Sequence, residues 1–182
     1  MTWRKPGEGL QVSTKGRKEG SAGLMANFYV DIAYGKGVVL CKHIPWKVTG
    51  QRFATFVKKV FPGVFAKCGV DLRGSLWLQD GDPRQNSKVA KQAWRKLGCE
   101  MFSITARSPG LNPIENMFNN IRRQLKDDAL EQHIENESYG EFCQRVAKTI
   151  KNYPSAIIDK TIDSMVHRYD MVRKGKGHRT KY

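Results

Sequence analysis

The chain has 182 residues, 40% hydrophobic and 10% aromatic, which fits one globular domain with its own core and excludes a disordered chain. Its formal net charge of +15 points to a polyanionic partner, nucleic acid before any other. No apolar run of spanning length and no basic amphipathic helix is present, so a membrane partner is not expected.

Met1 to Leu24 is rich in Gly, Lys, Arg and Glu without periodicity and reads as a basic loop, with Lys5, Lys15, Arg17 and Lys18 as cations that could meet phosphates. Met25 to Tyr34 reads as a strand with Phe28, Val30 and Ile32 on one face. Gly35-Lys36-Gly37 is a hairpin signal, and Val38 to Ile44 is the partner strand. Thr49 caps a helix from about Gly50, with Phe53, Phe56, Val57, Val60 and Phe61 as a core stripe.

Leu76-Trp77-Leu78 is a short buried strand stopped by Asp80-Gly81-Asp82-Pro83, which puts Asp80 at its carboxyl end, the rim where open α/β sheets gather ligands. Pro83 to Leu97 reads as a helix capped by Asp82 and stopped by Gly98, with Val89, Ala93, Trp94 and Leu97 inward. Arg84, Lys88, Lys91, Arg95 and Lys96 lie on its outer parts. Cys99 to Ala106 supplies another strand, and Arg107 follows it near the site. Asn112 caps the next helix, Pro113 takes its first position, and Glu115 lies in its first turn beside the apolar face Ile114, Met117, Phe118, Ile121 and Leu125. Glu115 also reads as the acidic half of a capping box, and Asp80 as a turn residue. The helix runs past Arg122 and Arg123 to about Ala129. Ser138 and Glu141 form a capping box for a helix carrying Phe142, Val146 and Ile150. Pro154 ends it, and a last helix carries Ile158, Ile162, Met165 and Tyr169. Residues 173–182 form a basic tail that reads as a DNA contact or a nuclear import signal, so a nuclear location is expected.

Cys41, Cys68, Cys99 and Cys143 are too scattered for a zinc site and read as reduced, mostly buried thiols; the four histidines are equally scattered, and the amino-terminal residues show no h-region of a signal peptide. Two carboxylates held close repel each other unless a cation sits between them, and oxygen donors of this kind suit Mg²⁺ or Mn²⁺.

Gln79-Asp80-Gly81-Asp82-Pro83 followed by Ser108-Pro109-Gly110-Leu111-Asn112-Pro113-Ile114-Glu115-Asn116 resembles the catalytic core of Tc/mariner transposases. Positions 81 to 114, 34 residues, separate the two carboxylates, the spacing of the Tc branch. The resemblance runs from about Trp3 to Tyr182. It implies a ribonuclease H-like fold, a mixed sheet flanked by helices, over residues 25–172. It also implies two Asp and one Glu holding two divalent metals roughly 3.5 to 4 Å apart for in-line phosphoryl transfer on DNA. Asp80 matches the second Asp and Glu115 the Glu. The first Asp, which the family carries on the opening strand, has no match, and neither the opening strand nor the family's helix-turn-helix domains are expected in this chain. Asp31 is an unsuitable substitute, because it falls on the second strand of the resembled fold. Gly110 and Gly81 stand where similar proteins carry Asp or Asn, and a looser placement of Glu115 follows from Gly110. The resemblance thus implies a DNA transposase domain with Asp80 and Glu115 as metal ligands and Arg84, Lys88, Arg107 and Arg122 as DNA contacts. Its alternative is a catalytically inert DNA-binding remnant, and a homodimer is compatible with both.

Overall fold

The computed structural model describes residues 25–69, 76–104, 108–134 and 136–175, so the basic amino-terminal loop, Arg107 and residues 176–182 lie outside it. Strands β1 (Phe28–Ala33) and β2 (Gly37–His43) form an antiparallel hairpin in which Phe28 faces His43, with a bulge between Asp31 and Ile32. Strands β3 (Leu76–Gln79) and β4 (Glu100–Ser103) run parallel, joined by helix α2 (Lys88–Leu97), as a parallel pair requires a crossover. Among the described residues the antiparallel and parallel halves of the mixed sheet do not join. Instead β1 and β3 line a common cavity of about 480 Å³.

Helices pack on both faces of these strands. Helix α1 (Gly50–Cys68) starts at Thr49, whose hydroxyl accepts the Arg52 N–H at 3.3 Å, as its sequence predicts. It runs straight through Pro62, although a proline inside a helix removes a hydrogen bond and clashes with the preceding turn. Packing outweighs that cost, because Phe61 and Phe65 on either side of Pro62 are both buried. With Phe53, Phe56, Val57, Ala90, Ala93 and Trp94 they make one core beneath Tyr29 and Trp77. On the opposite face Val30 meets Met117 and Ile121 of α3 (Pro113–Glu131), Val146 and Ile150 of α4 (Tyr139–Lys151) and Ile158 of α5 (Ser155–Lys174). Three layers result, helix, strand and helix, which is the α/β architecture expected.

Two expectations need correction at α2. Its cap is Ser87, whose Oγ accepts the Ala90 N–H, and not Asp82; residues 83–86 form a turn. The later start moves the buried face, so Ala90 is inward and Val89 is 39% exposed. Gly50 explains why this corner is tight: a β-carbon there would lie 2.4 Å from Ser87 Oγ, and only glycine lets the two helix starts meet. The described part of the next strand is Glu100–Ser103, shorter than the expected Cys99 to Ala106. The capping box at Ser138 and Glu141 and the stop at Gly98 form as predicted. None of the four cysteines is in a disulfide, and Cys99 is buried while the other three are half-buried. The last helix carries on through Arg173 and Lys174, which pair with Asp170 at 2.8 and 2.6 Å. No described helix is long and apolar enough to cross a membrane.

Candidate active site

Asp80 follows the last residue of β3, where the chain leaves the core, and is exposed. Its Oδ1 accepts the Asp82 N–H at 3.2 Å and its carbonyl accepts Asn86 Nδ2 at 2.7 Å. Asn86 also donates to the Asp82 carbonyl, so one amide closes the turn and fixes the direction in which Asp80 leaves the strand. Asp82 is engaged by Arg84. Its carboxylate accepts the Arg84 N–H at 2.8 Å and the Arg84 guanidinium at 2.6 Å, and that guanidinium holds it below the usual carboxylate range. Asp82 is thereby a turn former, and Arg84 keeps 58% of its side chain exposed while bound to it.

Glu115 sits in the first turn of α3, half-buried, with its N–H on the Asn112 carbonyl. The capping hydrogen bond of α3 runs from the Ile114 N–H to Asn112 Oδ1, and Glu115 closes no capping box. That leaves its carboxylate for another role, beside the positive end of the helix dipole. Asp80 and Glu115 line the same cavity, together with Asp31, Asn112 and Gln79. Both polar atoms of the buried Gln79 side chain are without a partner, as is Asp31 Oδ2. Sequence reading missed Gln79; its place one residue before Asp80 on an apolar strand was the available signal.

Asp31 shares the cavity but differs in chemistry. It is 6% exposed, and burial pushes its carboxyl well above the ordinary range, so its neutral form is favoured. Tyr29 is raised as well, first by burial and then by the charges of Asp31 and Asp80. Asp80 and Glu115 are hard oxygen donors of the type Mg²⁺ and Mn²⁺ take, but among the described residues no three His, Cys, Asp or Glu side chains converge on one point. The donor type therefore fits a divalent cation.

The neutral Asp31 gives a pH dependence with a definite sign. Below the usual carboxylate pKa of about 3.9 both folded and unfolded chains hold its proton. As pH rises past that value the unfolded chain ionises while the folded chain does not, so stability falls until the folded carboxyl itself titrates. Asp31→Asn removes this slope. The melting-temperature gain of Asp31→Asn over the parent should grow between pH 4 and pH 8, and parallel curves would refute the neutral carboxyl.

The other named cations lie on two helices, α2 and α3. Lys88 is exposed at the start of α2, and Arg122 is exposed on α3 with its guanidinium on Asn119 Oδ1 at 2.9 Å. Lys91, Arg95 and Lys96 are also exposed on α2, and Arg123 on α3.

No family model matches the chain. The Tcb2 transposase of Caenorhabditis briggsae is 31% identical over 110 residues, 60% of this chain and 38% of the relative. The Tc1 transposase of Caenorhabditis elegans is 29% identical over 110 residues, with the same shares covered. The chain thus spans about two fifths of the length of the curated relatives it matches. In structure, the Mos1 mariner paired-end complex with Mn superposes with a TM-score of 0.74 at 16% identity, over 99% of this chain and 51% of that one. The catalytic domain of Mos1 mariner transposase gives 0.63 at 13% identity, over 86% of this chain and 82% of that one. In sequence the chain is thus similar to the Tc transposases over 60% of its length, and its fold is that of the catalytic domain of Mos1 mariner transposase.

Proposed function

We propose that the chain is a DNA-binding transposase domain in which Asp80 and Glu115 are ligands for Mg²⁺ or Mn²⁺. The observation that carries this reading is that both carboxylates line one cavity, one from a strand end and one from a helix start, in the order and spacing of the Tc motif. Several structures of the Mos1 fold contain Mn or Mg, and one holds a left transposon end, which supports a divalent cation and DNA as partners. A cation held there supplies Lewis-acid activation of an attacking oxygen and stabilises charge on the leaving one. The chain's own part is to fix the two carboxylates: the Asn86 turn aims Asp80, and the Asn112 cap aims Glu115.

The same geometry argues that this chain binds DNA without cutting it efficiently. A transferring phosphate needs its cations held rigidly, and among the described residues no third carboxylate converges with Asp80 and Glu115. Asp31 is buried and lines the same cavity, but it does not converge with the other two on one point. Nuclear targeting by the basic carboxyl-terminal residues belongs to the same reading.

A supercoiled-plasmid assay with Mg²⁺ or Mn²⁺ separates the alternatives. Retarded migration of the plasmid without conversion to the nicked form is expected. Nicking that disappears in Asp80→Ala but persists in Asp31→Ala would show a working transposase centre, and nicking that disappears only in Asp31→Ala would indicate a different nuclease.

A further inference from the structure

The loop that aims Glu115 is held from behind by the last helix. Arg168, half-buried on α5, donates from Nη1 to the Gly110 carbonyl at 3.0 Å and to Asn116 Oδ1 at 3.3 Å. Its Nε donates to Ser164 Oγ at 3.1 Å, which anchors the guanidinium to its own helix. Asn116 passes the hold on, donating from Nδ2 to the Asn112 carbonyl at 3.3 Å, and Asn112 is the residue that caps α3. Next along α5, the Tyr169 hydroxyl donates to the Leu111 carbonyl at 3.4 Å.

These contacts meet a local need. The carbonyls of Gly110 and Leu111 precede the helix in a half-buried turn, where a donor from another element replaces the water they would otherwise bind. Gly110 brings no side chain of its own to brace the turn. A guanidinium offers five donors in one rigid plane, so a single Arg can hold a carbonyl, an amide oxygen and a hydroxyl at once, which a lysine ammonium on a flexible stem does not do.

We infer that Arg168 is the positioning residue for Glu115, with Tyr169 as a second brace: α5 sets the angle at which the first turn of α3 presents its carboxylate. Arg168 touches neither substrate nor metal; it acts through the loop 110–112 and Asn116. The inference rests on reading Glu115 as a metal ligand.

The test uses the full chain, Arg168→Met and Arg168→Lys, with amide hydrogen exchange read by mass spectrometry and Mn²⁺ binding read by electron paramagnetic resonance. In Arg168→Met the amides of residues 110–116 should exchange about tenfold faster, the scale of one lost charged hydrogen bond, while those of α1 and α2 keep their rates. The apparent Mn²⁺ dissociation constant should rise by a similar factor, and Arg168→Lys should recover part of both effects. Uniform acceleration across all helices would reduce Arg168 to general packing and overturn the inference. So would unchanged Mn²⁺ affinity in Arg168→Met when the parent binds Mn²⁺. A parent that takes up no Mn²⁺ fails earlier, at the metal-ligand reading of Glu115, and removes the inference with it.

Discussion

The affinity of this chain for duplex DNA is expected to fall about a thousandfold between 50 and 200 mM salt. Each phosphate neutralised by a Lys or Arg releases condensed counterions, so the logarithm of affinity falls linearly with the logarithm of salt. Lys88, Lys91, Arg95 and Lys96 on α2 and Arg122 and Arg123 on α3 are exposed, and contact with about six phosphates gives a loss of about 10³ over that range. The net charge of +15 leaves other cations to join them. Fluorescence anisotropy with a labelled duplex measures the slope. Binding should be indifferent to sequence, because phosphate contacts carry no sequence information. Replacing both Lys88 and Lys91 by Gln should lower the slope by about two, and an unchanged slope would move the DNA surface away from α2.

Phe61→Ala should cost about 3 to 5 kcal/mol, a large share of the stability of a domain that holds of order 5 to 15 kcal/mol in all. Phe61 is fully buried, and its ring lies 4.5 Å from that of Trp94, 4.9 Å from Trp77 and 5.9 Å from Tyr29. Through Trp77 it supports β3, the strand that delivers Asp80, and through Trp94 it holds α2. Truncation would leave a ring-sized hole among rigid aromatics that cannot collapse into it. Urea denaturation followed by tryptophan fluorescence reads the loss, with Phe102→Ala as the control. Phe102 is 44% exposed, so its truncation should cost far less. Equal costs would mean that the aromatic cluster is not the centre of the fold.

What the sequence made legible was mostly local. Thr49, Asn112 with Pro113, and Ser138 with Glu141 cap their helices as read, since a cap is a contact between residues two or three apart. The placement of Asp80 after a strand and of Glu115 in a first helical turn was legible because Gly and Pro punctuate each boundary, and only the resemblance to a family marked the two as a pair. The start of α2 was misread where local cues compete. Asp82-Pro83 looks like a cap and first turn, but the Asp82 carboxylate is taken by Arg84, and Ser87 caps the helix. That error carried the inward face from Ala90 to Val89. Helix α1 passing through Pro62 was not foreseeable from propensity, because tertiary burial of Phe61 and Phe65 decides it. Periodicity also shows strands and not their partners, so the gap between β1 and β3 had no signal. Nor did the reach of Arg168 to Gly110, a contact between distant parts of the chain.

Cation binding by Asp80 and Glu115 is the most direct test of the account. Mn²⁺ titrated into the parent chain, Asp80→Ala and Glu115→Ala, followed by electron paramagnetic resonance, should show saturable binding in the parent that is lost in both variants. Binding of equal strength in all three would mean that the two carboxylates do not share an ion, and the transposase reading of the cavity would fail.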